Sequence, residues 1–227
     1  ELVRSFLTEG SVAILYDDTF DGVTDKGDAL LAVADLIDAV GGTSRVGAIP
    51  MLDHANSMGA RDLDILPEGT AGGSWGTPFT AQLQFPDSPV RAAFLLGANP
   101  MGREASPELE TALRKLDLLV VHELFLTDTA KLADVILPAA SFAEKAGTFT
   151  NTERRVQALK NAVPAPGIAR PDWETLVDLS QYFESPLNYS LPREIWDEIA
   201  ERVPAYQGVR YQDIGATGVR PQSLQPA

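Results

Sequence analysis

One stretch of the chain has the spacing of a serine nucleophile. The sequence GGSWG at 72–76 matches the Gly-x-Ser-x-Gly pattern around Ser74. In hydrolases that pattern lies between a strand and a helix, because the strained turn between them presents the serine hydroxyl. Here a Gly- and Pro-rich segment precedes the pattern, and no helical period follows it. We therefore interpret Ser74 as a loop residue and do not predict a hydrolase.

Metal and nucleotide chemistry have equally little support in the residue types. Neither His54 nor His122 has a second histidine or a cysteine at the spacing of metal ligands. The chain contains no cysteine, which excludes disulfides, thiolate nucleophiles and cysteine-ligated iron–sulfur clusters within it. Neither a P-loop nor a Gly-x-Gly-x-x-Gly fingerprint occurs. We predict structural roles for both histidines, no catalytic residue and no metal ligand.

A turn after a predicted strand is the first feature that favours binding. In LLGANP (95–100), Gly97 and Asn99 permit a tight backbone turn, and Pro100 keeps its predecessor out of the helical region. Open α/β sheets bind ligands at the carboxyl ends of their parallel strands, where this turn is expected. The same residues are typical of a plain strand-to-helix turn, so both interpretations stay open.

A longer motif, ADVILPAASFAEKAGTFTNTERRVQ, spans 133–157. Its first part predicts a core strand that ends at Pro138, and the alternating segment GTFTN predicts a short exposed strand. Charged residues surround this second strand: Glu144, Glu153, Arg154 and Arg155. They are predicted either to tie the ribbon to another domain through ion pairs or to form a solvated face, because surface pairs are individually weak.

The elements that would position these turns alternate between strands and helices. Strands are predicted at 11–18, 44–51, 90–97, 117–123 and 134–138, and helices at 27–42, 106–116, 127–133, 169–184 and 190–203. The predicted N-caps are Ser106, Thr127, Asp172 and Ser190. The helix at 169–184 is predicted to bury Trp173 and Phe183. Continuous Val, Ile and Leu strands between amphipathic helices predict an α/β fold with parallel sheets covered by helices.

Composition shifts divide the chain into four parts. We predict an α/β unit at 1–66, a Gly- and Pro-rich connection at 67–89, a second α/β unit at 90–183, and a C-terminal helix and tail at 184–227. The last residues, 215–227, show no period and are predicted to be loosely held. Because the chain begins at Glu1 in the middle of a helical pattern, we expect it to belong to a longer protein.

The overall charge excludes one class of partner. The 227 residues include 18 basic and 32 acidic side chains, which gives a net charge of -14. Nucleic-acid binding depends on clustered Lys and Arg, so we predict no nucleic-acid partner. No apolar run approaches the roughly 18 residues of a membrane helix, and we predict no direct membrane insertion.

Taken together, these motifs resemble a known family. LLGANP, the segment LTDTAKLADVILPAASFAEKAGTFTNTERRVQ and RPDWETLVDLSQYF are similar to the molybdopterin oxidoreductase superfamily. They look most like the large iron–sulfur subunit of bacterial NADH-quinone oxidoreductase. The similarity runs from about Asn56 to Gln222. Arg154 departs from it, because many relatives carry glycine at that position.

The resemblance implies a molybdopterin-oxidoreductase-like α/β domain that has lost its pterin and serves as a scaffold in electron transfer from NADH to quinone. It implies no cofactor in this segment and iron–sulfur clusters in an upstream part of the subunit. The implied partners are the other peripheral-arm subunits of respiratory complex I, at the cytoplasmic face of the bacterial membrane. The residues implied to line the ancestral pterin crevice are Gly97, Asn99, Thr127, Asp128 and Asn151.

Two alternatives stay open. The first is a fragment of a true molybdenum enzyme, of the formate dehydrogenase or nitrate reductase type, that uses those same five residues to hold a pterin dinucleotide. The second is a free-standing interaction module that docks through its acidic surface. Molybdenum and pterin in the full-length protein distinguish the first alternative from the scaffold, and the residues encoded before Glu1 test the second.

Overall fold

The computed structural model describes residues 11–17, 26–40, 46–52, 54–63, 65, 90–103, 105–215 and 217–221. Ser74 and the predicted connection at 67–89 lie outside these ranges. Among the helices that are described, none is both long and apolar enough to cross a bilayer.

The first part of the chain forms a parallel β-α-β arrangement, as predicted. Strand β1 (Val12–Asp17) is followed by helix α1 (Lys26–Val40) and strand β2 (Val46–Met51). The two strands pair in parallel from Val12 opposite Val46 to Asp17 opposite Met51. The short helix α2 (Ser57–Asp62) comes next.

The second part is built on a three-stranded parallel sheet. Its strands, in the order β3-β4-β5, are β3 (Ala92–Leu96), β4 (Leu118–Glu123) and β5 (Val135–Pro138). Between β3 and β4 lie helices α3 (Pro100–Arg103) and α4 (Pro107–Arg114), and a 3-10 turn (Ala130–Leu132) precedes β5. The parallel α/β class predicted from the alternation is confirmed.

Helix α4 covers one face of this sheet. Its Leu109 and Leu113 pack with Leu95, Leu119 and Val121 of the strands in one buried cluster. The predicted N-cap is confirmed, because the Ser106 hydroxyl accepts a hydrogen bond from Leu109 N–H at 3.1 Å. The helix is thereby fixed at the end that faces the carboxyl edge of β3.

The remaining elements form an antiparallel hairpin and a helical C-terminal part. Strands β6 (Gly147–Thr150) and β7 (Val156–Leu159) pair in the hairpin. Helix α5 (Asp172–Ser180), helix α6 (Pro192–Arg202) and two 3-10 turns (Pro204–Tyr206 and Tyr211–Asp213) complete the described chain. Val156, Trp196, Tyr206, Val209 and Ile214 form a second buried cluster.

Four sequence predictions about these C-terminal elements are wrong. The N-cap position of α5 is Pro171 rather than Asp172, and that of α6 is Leu191 rather than Ser190, and neither side chain makes a capping hydrogen bond. Because α5 already ends at Ser180, Phe183 lies beyond it and is exposed rather than buried. The loosely held tail predicted at 215–227 is contradicted for residues 217–221, since Val219 pairs with Val156 of β7 through two backbone hydrogen bonds of 2.8 and 2.9 Å. Residues 222–227 lie outside the described ranges.

Candidate binding site

Gly97 forms the turn at the carboxyl end of β3. Its φ is 57°, in the left-handed region that favours glycine. Its N–H donates to the carbonyl of His122 at 2.9 Å, so the turn is joined directly to β4. A Cβ at this position would meet no atom within 4 Å. The turn therefore presents bare backbone to open space, which permits the close approach of a ligand.

Asn99 links this turn to the loop that follows β4. Its Oδ1 accepts hydrogen bonds from the hydroxyl and the N–H of Thr129, at 2.7 and 3.3 Å. The Thr129 hydroxyl oxygen in turn accepts from Met101 N–H at 3.0 Å. A Cβ on Gly102 would lie 2.5 Å from Asn99 Nδ2, so the amide packs directly over that glycine. The two loops at this edge are thus held as one unit.

Thr127 and Asp128 lie in the loop after β4, beside Thr129. The Thr127 hydroxyl oxygen accepts from Ala130 N–H at 3.2 Å. The helix predicted at 127–133 with Thr127 as its N-cap is instead a 3-10 turn whose N-cap residue is Thr129. Asp128 is exposed and pairs with Lys131 at 2.7 Å. Because such surface pairs contribute about 0 to 1 kcal/mol, the carboxylate is available to another partner. The structure therefore brings Gly97, Asn99, Thr127 and Asp128 to one edge of the sheet.

Replacing Thr129 with valine is expected to loosen this edge. Thr129 is fully buried, and valine keeps its shape while it removes the hydroxyl that bonds Asn99 and Met101. We expect the free energy of unfolding to fall by about 1–2 kcal/mol, measured by urea denaturation. Thr111→Val is the matched control, since the Thr111 hydroxyl donates to Pro107 O on an exposed helix surface. An equal loss of unfolding free energy in both variants would contradict the conclusion that the Thr129 hydroxyl holds this edge together.

Asn151 lies on a different element, the turn of the β6–β7 hairpin. Its Oδ1 accepts from Arg155 N–H at 2.9 Å, and its carbonyl accepts from Arg154 N–H at 2.8 Å. The side chain thus closes the turn that carries it. Three of the four charged residues predicted to tie this ribbon to another domain contact distant parts of the chain. Arg154 pairs with Asp62 at 2.8 Å, Glu153 pairs with Arg220 at 3.4 Å, and Arg155 donates to Thr217 O at 3.4 Å.

Sequence reasoning missed a polar cluster around the buried His122 at the end of β4. His122 is fully buried at the end of β4, with Nδ1 3.2 Å from Asp172 Oδ1 and Nε2 3.3 Å from the Thr175 hydroxyl. The other Asp172 oxygen accepts a hydrogen bond from Lys145 of the 133–157 motif. Burial by itself would raise the pKa of Asp172, but the Lys145 hydrogen bond and charge outweigh it and hold that pKa below its ordinary value.

The only sequence signal for this cluster was a histidine at the end of an apolar strand. A structural role for this histidine was predicted, but its partners were not. They come from segments 50 and 53 residues further along the chain, which no local pattern connects. The second histidine, His54, is exposed. Within the described ranges no group of three or more His, Cys, Asp or Glu side chains is arranged to hold a metal ion.

A cleft lies on the face of the sheet that α5 partly covers. Its volume is about 640 Å³. Among the residues that line it are Phe94, Leu137, Ile168, Arg170, Leu179 and Tyr182. Thr175, which contacts His122, also lines it. Thr175 and His122 therefore connect this mostly apolar cleft to the turn at Gly97, whose N–H donates to His122 O.

Known proteins similar to this chain were found both by a family model and by individual relatives. A model described as molybdopterin oxidoreductase matches residues 6–182. The alpha subunit of F420-dependent formate dehydrogenase 2 from Methanococcus maripaludis is 46% identical over 134 residues, which cover 58% of this chain and 20% of that protein. The alpha subunit of the F420-dependent formate dehydrogenase from Methanocaldococcus jannaschii is 35% identical over 217 residues, which cover 85% of this chain and 32% of that protein.

These relatives correct the function that the sequence motifs first suggested. The prediction of a scaffold segment in the large iron–sulfur subunit of NADH-quinone oxidoreductase is wrong, because the relatives found are formate dehydrogenase alpha subunits. The 133–157 motif builds β5, β6 and β7, which are elements of the fold itself. It therefore indicates the superfamily and does not distinguish its members. The chain spans between a fifth and a third of the length of these relatives.

Proposed function

This chain belongs to the molybdopterin oxidoreductase family, and from that premise we propose that it is the part of a formate dehydrogenase-type enzyme that holds a pterin dinucleotide. The observation that carries the proposal is the similarity to formate dehydrogenase alpha subunits, which covers 85% of the chain in one of them. The proposed substrate of the whole enzyme is formate. This proposal replaces the scaffold interpretation.

The residues at the sheet edge fit such a group. A pterin dinucleotide presents flat heterocycles with N–H donors and ring acceptors, and it needs backbone that it can approach closely. Gly97 supplies open, left-handed backbone, and Asp128 supplies an exposed carboxylate that can accept N–H donors. Asn99 adds an exposed amide whose oxygen is already fixed by Thr129. The set thus offers shape and directed hydrogen bonds in one place.

The described residues would bind and orient the group. Thr127 holds the loop of Asp128 in place through its bond to Ala130 N–H, and Asn99 holds that loop against the β3 turn. The metal–pterin group, when bound, supplies the two-electron oxidation chemistry. The edge is therefore a preorganised binding surface, which lowers the ordering cost of binding.

Analysis of the full-length protein tests this proposal. We expect wild-type protein from a host that makes the pterin dinucleotide to contain molybdenum and pterin close to stoichiometry and to oxidise formate with a dye acceptor. Asp128→Asn is expected to lower the pterin content by about tenfold, because one charge-assisted hydrogen bond is weakened. Wild-type protein without pterin would contradict the proposal.

The matched control is Asp213→Asn. Asp213 pairs with Arg210 in the same i,i+3 spacing that Asp128 has to Lys131, and both pairs lie on exposed surface. Its loss is expected to leave the pterin content unchanged. Equal pterin loss in both variants would show that a general change in surface charge, rather than a contact of Asp128, controls retention.

A further inference from the structure

The described residues leave one face of the two-stranded parallel sheet open. Side chains alternate between the two faces along each strand, so Leu15 and its partner Ile49 share this face with Gly47 and Met51. We call these four residues the open face. On it Leu15 is 64% exposed, Ile49 40% and Met51 55%. Because parallel sheets occur almost only with both faces covered by helices, this apolar surface indicates a covering element beyond the described residues.

Helix α1 covers the opposite face. Val46 precedes Gly47 in β2, so its side chain lies on the other side of the sheet, where it is buried. Helix α1 contacts β2, and its last residue, Val40, is buried as well. A single crossover helix packs on one face of the sheet whose strands it connects. The open face therefore needs a second element.

Gly47 independently indicates that another backbone lies here. It is an interior residue of β2, its φ is outside the left-handed region, and a Cβ on it would meet no atom within 4 Å. Neither its conformation nor its described neighbours require a glycine. Glycine inside a strand lowers stability relative to alanine, and it often marks the close approach of another backbone. The open face is where such an approach is possible.

We propose that an apolar helix from a part of the same polypeptide outside residues 1–227 packs on the open face. Helices that cover parallel sheets belong to the crossovers between their strands, so they come from the same polypeptide. The matched residues cover only 20% and 32% of the two formate dehydrogenase alpha subunits, which leaves most of their length for such elements. A second copy of the chain is a poorer occupant, because each copy carries a net charge of -14 and like charges repel. The inference rests on family membership and not on the proposed substrate.

Peroxide oxidation of the full-length wild-type protein tests whether the open face is covered. Met51 lies on that face, and the buried Met58 is the protected reference within the same molecule. Methionine oxidation requires that the oxidant reach the sulfur, so burial slows it. We expect both methionines to oxidise at least about tenfold more slowly in the folded protein than in urea. Protection of Met58 alone would overturn the inference.

Gly47→Ala in the full-length protein gives a second readout, whose sign depends on the helix. If another backbone lies against Gly47, the added methyl group overpacks the interface and the melting temperature falls by about 2–4 °C. If the face is open, the melting temperature stays the same or rises, because alanine restricts the unfolded chain. That second result would overturn the inference.

The matched control is Gly147→Ala. Gly147 also lies in a strand, its φ is also outside the left-handed region, and a Cβ on it would also meet no atom within 4 Å. It differs from Gly47 in lying on the antiparallel hairpin rather than on the open face. We expect G147A not to lower the melting temperature. An equal fall in both variants would show that the effect does not come from the open face.

Photo-crosslinking identifies the element that covers the face. We expect a benzophenone amino acid in place of Leu15 of the full-length protein to join to a peptide outside residues 1–227, in a product with the mass of a single polypeptide. A product of two copies, a product with a different protein, a link within residues 1–227, or no product would overturn the proposal. A benzophenone in place of Val163, an exposed apolar residue outside the helices and strands, is the control and should give no such link.

The outcomes also separate this inference from the proposed function. Full-length protein that contains pterin but oxidises rapidly at Met51 would overturn the covering helix and leave the proposed function intact. Full-length protein without pterin but with Met51 protected would do the reverse.

Discussion

Replacing Trp196 with alanine is expected to lower the free energy of unfolding by about 3–5 kcal/mol. Trp196 is 3% exposed and packs in the second buried cluster with Val156 and Tyr206. Its ring centroid lies 5.3 Å from that of Tyr206 in a tilted arrangement, and its indole N–H donates to Val209 O at 2.9 Å. Alanine leaves a cavity in the core and leaves Val209 O without its donor. Both changes lower the free energy of unfolding.

Urea denaturation followed by circular dichroism measures this loss. Tyr182→Ala is the control for removal of a large aromatic side chain, because Tyr182 is 88% exposed and its removal should change stability by less than about 0.5 kcal/mol. We also expect W196A to weaken the hydrogen bond that the Tyr206 hydroxyl donates to Asp62 at 2.8 Å, because the Trp196 ring packs against the Tyr206 ring. A loss below about 1 kcal/mol would show that the C-terminal cluster does not contribute to the core as its burial indicates.

The fold was predictable where the sequence carries a period. The apolar runs at 90–97 and 117–123 correspond to β3 and β4, and the N-cap at Ser106 is where the pattern placed it. These signals are local, because strand alternation and capping involve residues within one turn or one strand of each other. The starts of α5 and α6 were less predictable, because their N-cap positions are occupied by Pro171 and Leu191. Polar residues next to these positions suggested caps that lie one residue away.

The candidate site was predictable only in part, because sequence signals are local and several of its contacts are not. Gly97 and Asn99 predict a turn. Because open α/β sheets bind ligands at the carboxyl ends of their parallel strands, this turn was expected at a binding edge. The link from Asn99 to Thr129 and the link from Arg154 to Asp62 join residues 30 and 92 positions apart. Such contacts depend on how the elements pack, which a local pattern does not contain. The family resemblance identified the superfamily, but the motif it rested on builds the fold and so could not identify the member.

Asp172 shows how one residue type has two structural uses. An aspartate at the start of a helical pattern is typical of an N-cap, and the sequence predicted that role. In the structure it is the first residue of α5, and its carboxylate points to Lys145 and His122 instead. It joins three elements: the 133–157 motif, the end of β4 and α5. Because Gly97 N–H is bonded to His122 O, Asp172 also supports the edge of the candidate site.

Replacing Asp172 with asparagine is therefore expected to destabilise the protein by about 2–3 kcal/mol at neutral pH. The variant leaves Lys145 partly buried without its anion and His122 fully buried without a charged partner. Hydrogen bonds to charged groups contribute about 1.5–3 kcal/mol. Two such bonds to Asp172 lose their charge here, although partial exposure of Asp172 reduces the sum of their contributions. Asp178→Asn is the control, since Asp178 and its partner Arg170 are both exposed and should contribute about 0–1 kcal/mol.

The pH dependence of this variant gives an independent readout. The pKa of Asp172 is lowered from its ordinary value of 3.8 in the folded protein, so the unfolded chain takes up the proton first on acidification. The stabilisation by Asp172 is then complete above that ordinary pKa and is lost as the pH falls through the lower folded pKa. We expect wild type and D172N to differ in unfolding free energy at about pH 6, and this difference to shrink as the pH falls below the ordinary pKa of 3.8. A difference that stayed constant across this range would show that Asp172 acts through packing rather than through its charge.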